Sequence, residues 1–242
     1  MATEIRAHRR TTDRILFTLV AIGVPLIVLT GYARTYYFKT FFSTPALPSP
    51  LVHAHGLLMS GWIILFGAQT WLIETRRVKT HIQLGILGAF LAVAIVTTGT
   101  LAGMAATARG SAPPGQPPIP FLIIPLGDIL VFAVLVALAI YFRKRVEIHK
   151  RLMLLTAVNL LAAAIARIPL GVIETYGPLA FFGFTDLIML GCIAFDTIRN
   201  RRLHPAFMWG APLIIIFQPL RLMFAGTAAW ASFAELILTP FK

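Results

Sequence analysis

Seven apolar runs, each close to the length of a bilayer crossing, divide this chain: residues 15–33, 51–73, 82–108, 119–142, 149–173, 178–198 and 205–225. A hydrocarbon core about 30 Å thick takes about 20 apolar residues in helical form. Backbone polar groups find no water there, so a spanning segment must be a helix or part of a closed barrel, and barrel strands are only about ten residues long. The sequence therefore reads as an all-α polytopic membrane protein with seven transmembrane helices. Composition agrees: 58% of the 242 residues are hydrophobic and 12% charged, outside the range of soluble domains. The first run follows "RAHRRTTDR" but continues into "GYARTYYFK" without a small-x-small cleavage site, so it is expected to remain as a helix. "TAAWASFAELIL", residues 227–238, is short for a span and carries Glu235, which reads as an interfacial helix. Three parts are expected: a basic N-terminal tail (1–14), the membrane domain (15–225) and an exterior C-terminal segment (226–242).

The net charge of +12 would suit nucleic acid if it were clustered on one soluble face. Instead, thirteen of the 21 Lys and Arg residues fall before the first run or in the links after the second, fourth and sixth runs, and Lys150 and Arg151 at the very start of the fifth run make fifteen. With alternating spans all fifteen lie on one side, so the positive-inside rule makes the N-terminus cytoplasmic. The basic residues then mark topology and touch anionic lipid headgroups on the cytoplasmic face, and nucleic acid is not expected as a partner. Cys192 is the only cysteine, which excludes a disulfide or a thiolate cluster within the chain.

The basic links are copies of one another. "TRRVKTHIQLG" at 75–85, "RKRVEIHKRLM" at 143–153 and "RNRRLHPAFM" at 199–208 each place a His at the start of an ascending helix: His81, His149 and His204. The architecture is one leading helix followed by three helical hairpins. Two readings of the histidines stand. Each can cap backbone groups or bind headgroup phosphate, or the three hairpins bring them together as ligands for haem iron, copper or zinc. Spacing does not show whether the third, fifth and seventh helices are neighbours.

The stretch "HKRLMLLTAVNLLAAAIARIPL", with "HIQLGILG" before it, resembles uncharacterised bacterial inner-membrane proteins that carry an H-R-x-L-G turn followed by an H-R-x-W-M turn. More distantly it is similar to small multi-span proteins of cytochrome oxidase assembly. The resemblance covers roughly residues 53–170; Ile82 and Gln83 replace the basic pair of the first turn, and Leu152 stands where Trp is common. It implies a multi-pass protein of the bacterial inner membrane with a haem (haem b) or redox connection and respiratory-chain partners.

A second polar set lies toward the opposite ends of the helices. In "SPLVHAHG", Ser49 suits an N-cap and Pro50 the first helical position. His53 and His55 follow, about 200° apart in a regular helix, so they chelate one metal only if this turn is unwound. His55 shares a face with Trp62 and Gln69. Asp128, Asp186, Arg167 and Arg221 fall near the same depth as His55. His149 and Arg167 are eighteen residues apart, which is five turns and about 27 Å on one straight helix, so the two sets form separate candidate sites. His53, His55, Asp128 and Asp186 are the candidate metal ligands here, and Gln69, Arg167 and Arg221 complete a candidate pocket. Ionisable groups inside a bilayer are costly, which marks them for function, although two Asp and two Arg also suit a structural salt-bridge network. Pro212 and Pro219 are expected to break the seventh helix near Arg221 and open a cavity. "GTLAG" at 99–103 suits close helix approach, and Asp196, near a helix end, reads as a solvated carboxylate.

Two functions emerge. One is a haem- or metal-associated redox or oxidase-assembly role using the cytoplasmic histidines. No span carries His at both ends, so the two-haem pattern of diheme membrane cytochromes is not met. The other is a transporter or small-molecule binding protein using the outer His/Asp/Arg pocket. No catalytic residue is identified.

Overall fold

The computed structural model describes residues 2–113 and 115–241, with side chains from Arg14 onward, so the side chains of Arg6, Arg9 and Arg10 in the basic tail lie outside the described residues. Helix α1 spans Ala2–Tyr32 and passes into a π-helical turn, Ala33–Tyr37. It is followed by α2 (Pro50–Glu74), α3 (Val78–Ala108), α4 (Pro118–Tyr141), α5 (Val146–Asn159), α6 (Leu161–Ile165), α7 (Gly171–Tyr176), α8 (Pro178–Asn200), α9 (Pro205–Ala225) and α10 (Ala228–Leu238). Seven segments are long and apolar enough to cross a membrane, with α5 and α6 together forming the fifth.

Local chemistry sets several of these boundaries. Ser49 accepts a hydrogen bond from the Val52 N–H, with Pro50 at the first helical position, as its sequence indicated. Thr227 caps α10 in the same way through Trp230 N–H. Gly177, at φ 52°, separates α7 from α8, a conformation that costs little only without a Cβ.

Two boundaries depart from expectation. The fifth span does not run straight to residue 173 but ends at Ile165. Pro169 lacks an N–H, its ring would strike the carbonyl of residue 165, and it drives Ile168 out of the α region. Arg167 therefore lies beyond the helix rather than five turns along it from His149. Conversely, α9 runs unbroken through Pro212 and Pro219. In a membrane helix, a proline flanked by packed neighbours bends the axis and forfeits a hydrogen bond without ending the helix, and α9 is held against α4 and α5.

The α5–α6 segment is the axis of the bundle. α5 packs against α1, α4, α8 and α9, and α6 against α1 and α8; Leu154, Leu155, Leu161 and Ala164 are fully buried. Gly31 is what lets α1 reach α6: a Cβ there would meet the backbone of Ala164, 2.7 Å from its carbonyl carbon. Around this axis α2, α3 and α4 form a layered sheet of helices, with α10 laid against α3, α4 and α9 through Trp230, Ala234 and Leu238. The outward faces are apolar at mid-helix: Ile64 is 72% exposed, Phe90 70% and Ile216 57%. Such continuous exposed apolar surface suits a lipid environment.

Thr18 of α1 donates to Glu74 at the end of α2 (2.8 Å), which places the start of α1 on the same face as the three basic turns. That side is the basic face below; the other carries residues 38–49, 109–113, 115–117 and 166–177.

Candidate functional site

At the basic face the structure brings His81 and His149 together. Their ring centroids are 6.4 Å apart with planes at 84°. Each sits in the first turns of its helix, at equivalent places in two of the repeated turns. His149 Nδ1 lies 2.8 Å from the Ala139 carbonyl, one of the last four carbonyls of α4 and hence free of an intrahelical partner. Because the carbonyl can only accept, Nδ1 is the donor here, which turns Nε2 toward any further ligand. Gln69 donates from Nε2 to the His81 carbonyl (3.2 Å). The Gln69 amide oxygen and His81 Nδ1 are both buried without a hydrogen-bond partner, which is costly unless something further binds there. Gln69 thus belongs with His81, not with Arg167 or Arg221 at the other end.

His204 does not join this pair. Its Nδ1 accepts from the Ala206 N–H (3.2 Å) and caps α9, so the capping reading describes it. Burial pushes its pKa down, with the positive charges of Arg151 and Arg202 acting the same way against Asp196 and Glu147.

Beside His204 lies an ion cluster that the sequence concealed. Arg151 Nε and Nη2 donate to the two oxygens of Asp196 (3.1 and 2.8 Å). Arg151 Nη1 donates to the Glu147 carboxylate (2.7 Å) and carbonyl (3.0 Å). The side chains of Arg151 and Asp196 are each 1% exposed, and the Arg151 guanidinium faces the Phe207 ring at 5.9 Å. Asp196 is therefore not a solvated carboxylate, and Arg151 is not a headgroup contact. Arg151 was hidden among the topology charges of "RKRVEIHKRLM". The legible signal was Glu147 four residues before it, the favoured order for a helical pair.

Toward the opposite face the charged residues pair off. Arg221 Nη2 donates to Asp128 (2.7 Å) and Nη1 to the Ile124 carbonyl (3.0 Å), with the guanidinium 4.4 Å from the Phe182 ring. Gly127 makes room for it, since a Cβ there would lie 2.5 Å from Arg221 Nη1. Three residues earlier on α9, Gln218 donates to Asp186 (3.1 Å), so one face of α9 ties α4 and α8 together. Asn159, in the last turn of α5, donates to the Asp128 carbonyl (3.2 Å). Neither Gln218 nor Asn159 was singled out from the sequence, although Gln218 shares a helix face with Arg221.

The two remaining histidines diverge. Helix α2 is regular through this turn, so His53 and His55 point apart. His53 meets the Tyr36 hydroxyl (Nδ1 to Oη, 3.2 Å) and His55 meets Thr98 (Nδ1 to Oγ1, 3.0 Å). The His55 ring fills the space that Gly99 leaves, where a Cβ would stand 2.8 Å from it; Gly103 makes only ordinary side-chain contacts, so "GTLAG" seats a ring rather than a second helix backbone. Arg167 is exposed, donates to the Ala163 carbonyl and stacks on Tyr32 at 4.6 Å. Among the described residues no three His, Cys, Asp or Glu side chains converge on one point. No family model, no curated protein and no solved structure matches this chain.

Proposed function

We propose that this multi-pass membrane protein holds a haem iron between His81 and His149 and serves a redox or oxidase-assembly role. The observation that carries the reading is the paired imidazoles. The two ring centroids stand 6.4 Å apart, so both imidazoles would be within reach of one metal ion, whose bonds to nitrogen are about 2.0 Å. His149 is oriented as a ligating histidine usually is, its far N–H fixed on a carbonyl so that the other nitrogen is free. Only two protein ligands meet here. Haem iron needs no more, because the porphyrin supplies the rest, whereas structural zinc takes four and catalytic zinc three. A copper or other transition-metal ion completed by Gln69 is the variant of the same site. The resemblance over residues 53–170 to bacterial inner-membrane proteins and oxidase-assembly proteins points the same way. The transport reading draws on the Asp128, Asp186 and Arg221 set, where Arg221 pairs with Asp128 and Asp186 accepts from Gln218, while Arg221 Nε is buried without a partner.

The test is an absorption spectrum, oxidised and reduced, of detergent-purified protein from cells supplied with haem precursor and metals, with metal analysis on the same sample. A Soret band with near-stoichiometric iron, lost in His81→Ala and His149→Ala and kept in His204→Ala, is the expected result. A featureless, metal-free wild type refutes it.

A further inference from the structure

We propose that the groove between α1 and α8 binds one acyl chain of an anionic lipid from the leaflet on the basic face; this does not depend on the metal reading. The groove encloses about 260 Å³ and is lined almost wholly by apolar atoms, with Val158 and Leu161 of the central helices as its floor. Two glycines carve it, Gly23 on α1 and Gly191 on α8. A Cβ at either would meet nothing within 4 Å, so neither glycine serves a close helix contact. Each weakens its helix relative to Ala and leaves only space in return.

Length and charge identify the occupant. Along α1 the groove runs from Leu16 to Ile27, eleven residues or about 16 Å of helix. That matches one leaflet, half of a core about 30 Å thick, and the groove starts at the basic face. There Phe195 closes it, and Arg199 follows one turn later on the same side of α8, its guanidinium 5.6 Å from the Phe195 ring. Arg201 and Arg202 come next, and all three arginines are exposed. An apolar slot one leaflet deep under a cationic mouth suits a chain bearing a negative headgroup. A transmembrane helix of a second copy would run past the leaflet boundary, whereas the groove stops there.

Native mass spectrometry of protein taken from mixed phosphatidylcholine and phosphatidylglycerol vesicles tests this. The wild type is expected to retain one lipid per chain, with phosphatidylglycerol preferred. Gly23→Leu/Gly191→Leu fills the slot and is expected to lose that lipid while its helical circular dichroism is unchanged. Arg199→Gln is expected to keep the lipid and lower the preference about fivefold, equivalent to about 1 kcal/mol. Retention unchanged in the double-Leu variant, equal retention of the two lipids by the wild type, or a lipid-free dimer that the double-Leu variant disperses would each overturn the proposal.

Discussion

Removing the carboxylate of Asp196 probes the buried ion pair at the basic end of the bundle. In Asp196→Ala, Arg151 loses two of its four hydrogen bonds, those at 2.8 and 3.1 Å, and keeps the two to Glu147. Breaking one partner from a buried pair costs about 3–5 kcal/mol, because the remaining charge stays buried and uncompensated. Glu147 is 39% exposed and still touches Arg151, so Asp196→Ala should fall near the lower bound, about 3 kcal/mol. Arg151→Ala leaves Asp196 with no cation and opens a cavity as well, so it should reach about 5 kcal/mol. Glu147→Ala should cost about 1 kcal/mol or less, as a half-exposed pair does. Replacing both buried charges, as in Arg151→Met/Asp196→Leu, should recover most of the loss, since well-packed apolar residues can substitute for a buried pair at little cost. The assay is reversible unfolding in mixed micelles with rising dodecyl sulfate, followed by tryptophan fluorescence. If Asp196→Ala costs under 1 kcal/mol, or if the double variant is no more stable than the worse single one, the pair does not act as a buried, desolvated ion pair and the reasoning fails.

Two further outcomes follow from particular contacts. The folded-state pKa of His204 is pushed below its ordinary value of 6.5, chiefly by burial. Its neutral Nδ1 accepts the cap bond of α9, so the stabilisation is fully present above pH 6.5 and is lost as pH falls from there through the depressed folded value. His204→Ala should cost about 1 kcal/mol at pH 8, the worth of an N-cap, and should flatten the stability profile between pH 7 and 5; a profile equally steep in the variant would show that another group titrates. Gly31→Ala should destabilise by about 3 kcal/mol, because backbone of α6 rather than a flexible side chain meets the new methyl and overpacking of 1–3 kcal/mol is then hard to relax. Unfolding within 0.5 kcal/mol of wild type would mean that α1 and α6 are not in such close contact.

Much of the architecture was legible in the sequence because the bilayer imposes it locally. Span length follows from hydrocarbon thickness, helical form from the need to satisfy each backbone group within its own segment, and the shared face of the basic turns from alternation along the chain. Ser49 and Pro50 spoke for themselves through capping chemistry that acts over a few residues. What only the tertiary structure decided concerns which helices touch. Pro169 ended the fifth span while Pro212 and Pro219 left α9 intact, since the fate of a proline depends on what packs against the carbonyl it frees. His81 and His149 proved to be neighbours, which similar local sequence at two helix starts cannot show, whereas His204 directly precedes Pro205 and so falls at the N-cap itself. Asp196 and Arg151, read as a solvated carboxylate and a topology charge, are buried against each other from helices 45 residues apart in sequence. A charge at the end of an apolar run looks the same in one dimension whether it faces water or a partner, and desolvation, which separates the two, is a property of the packed bundle alone.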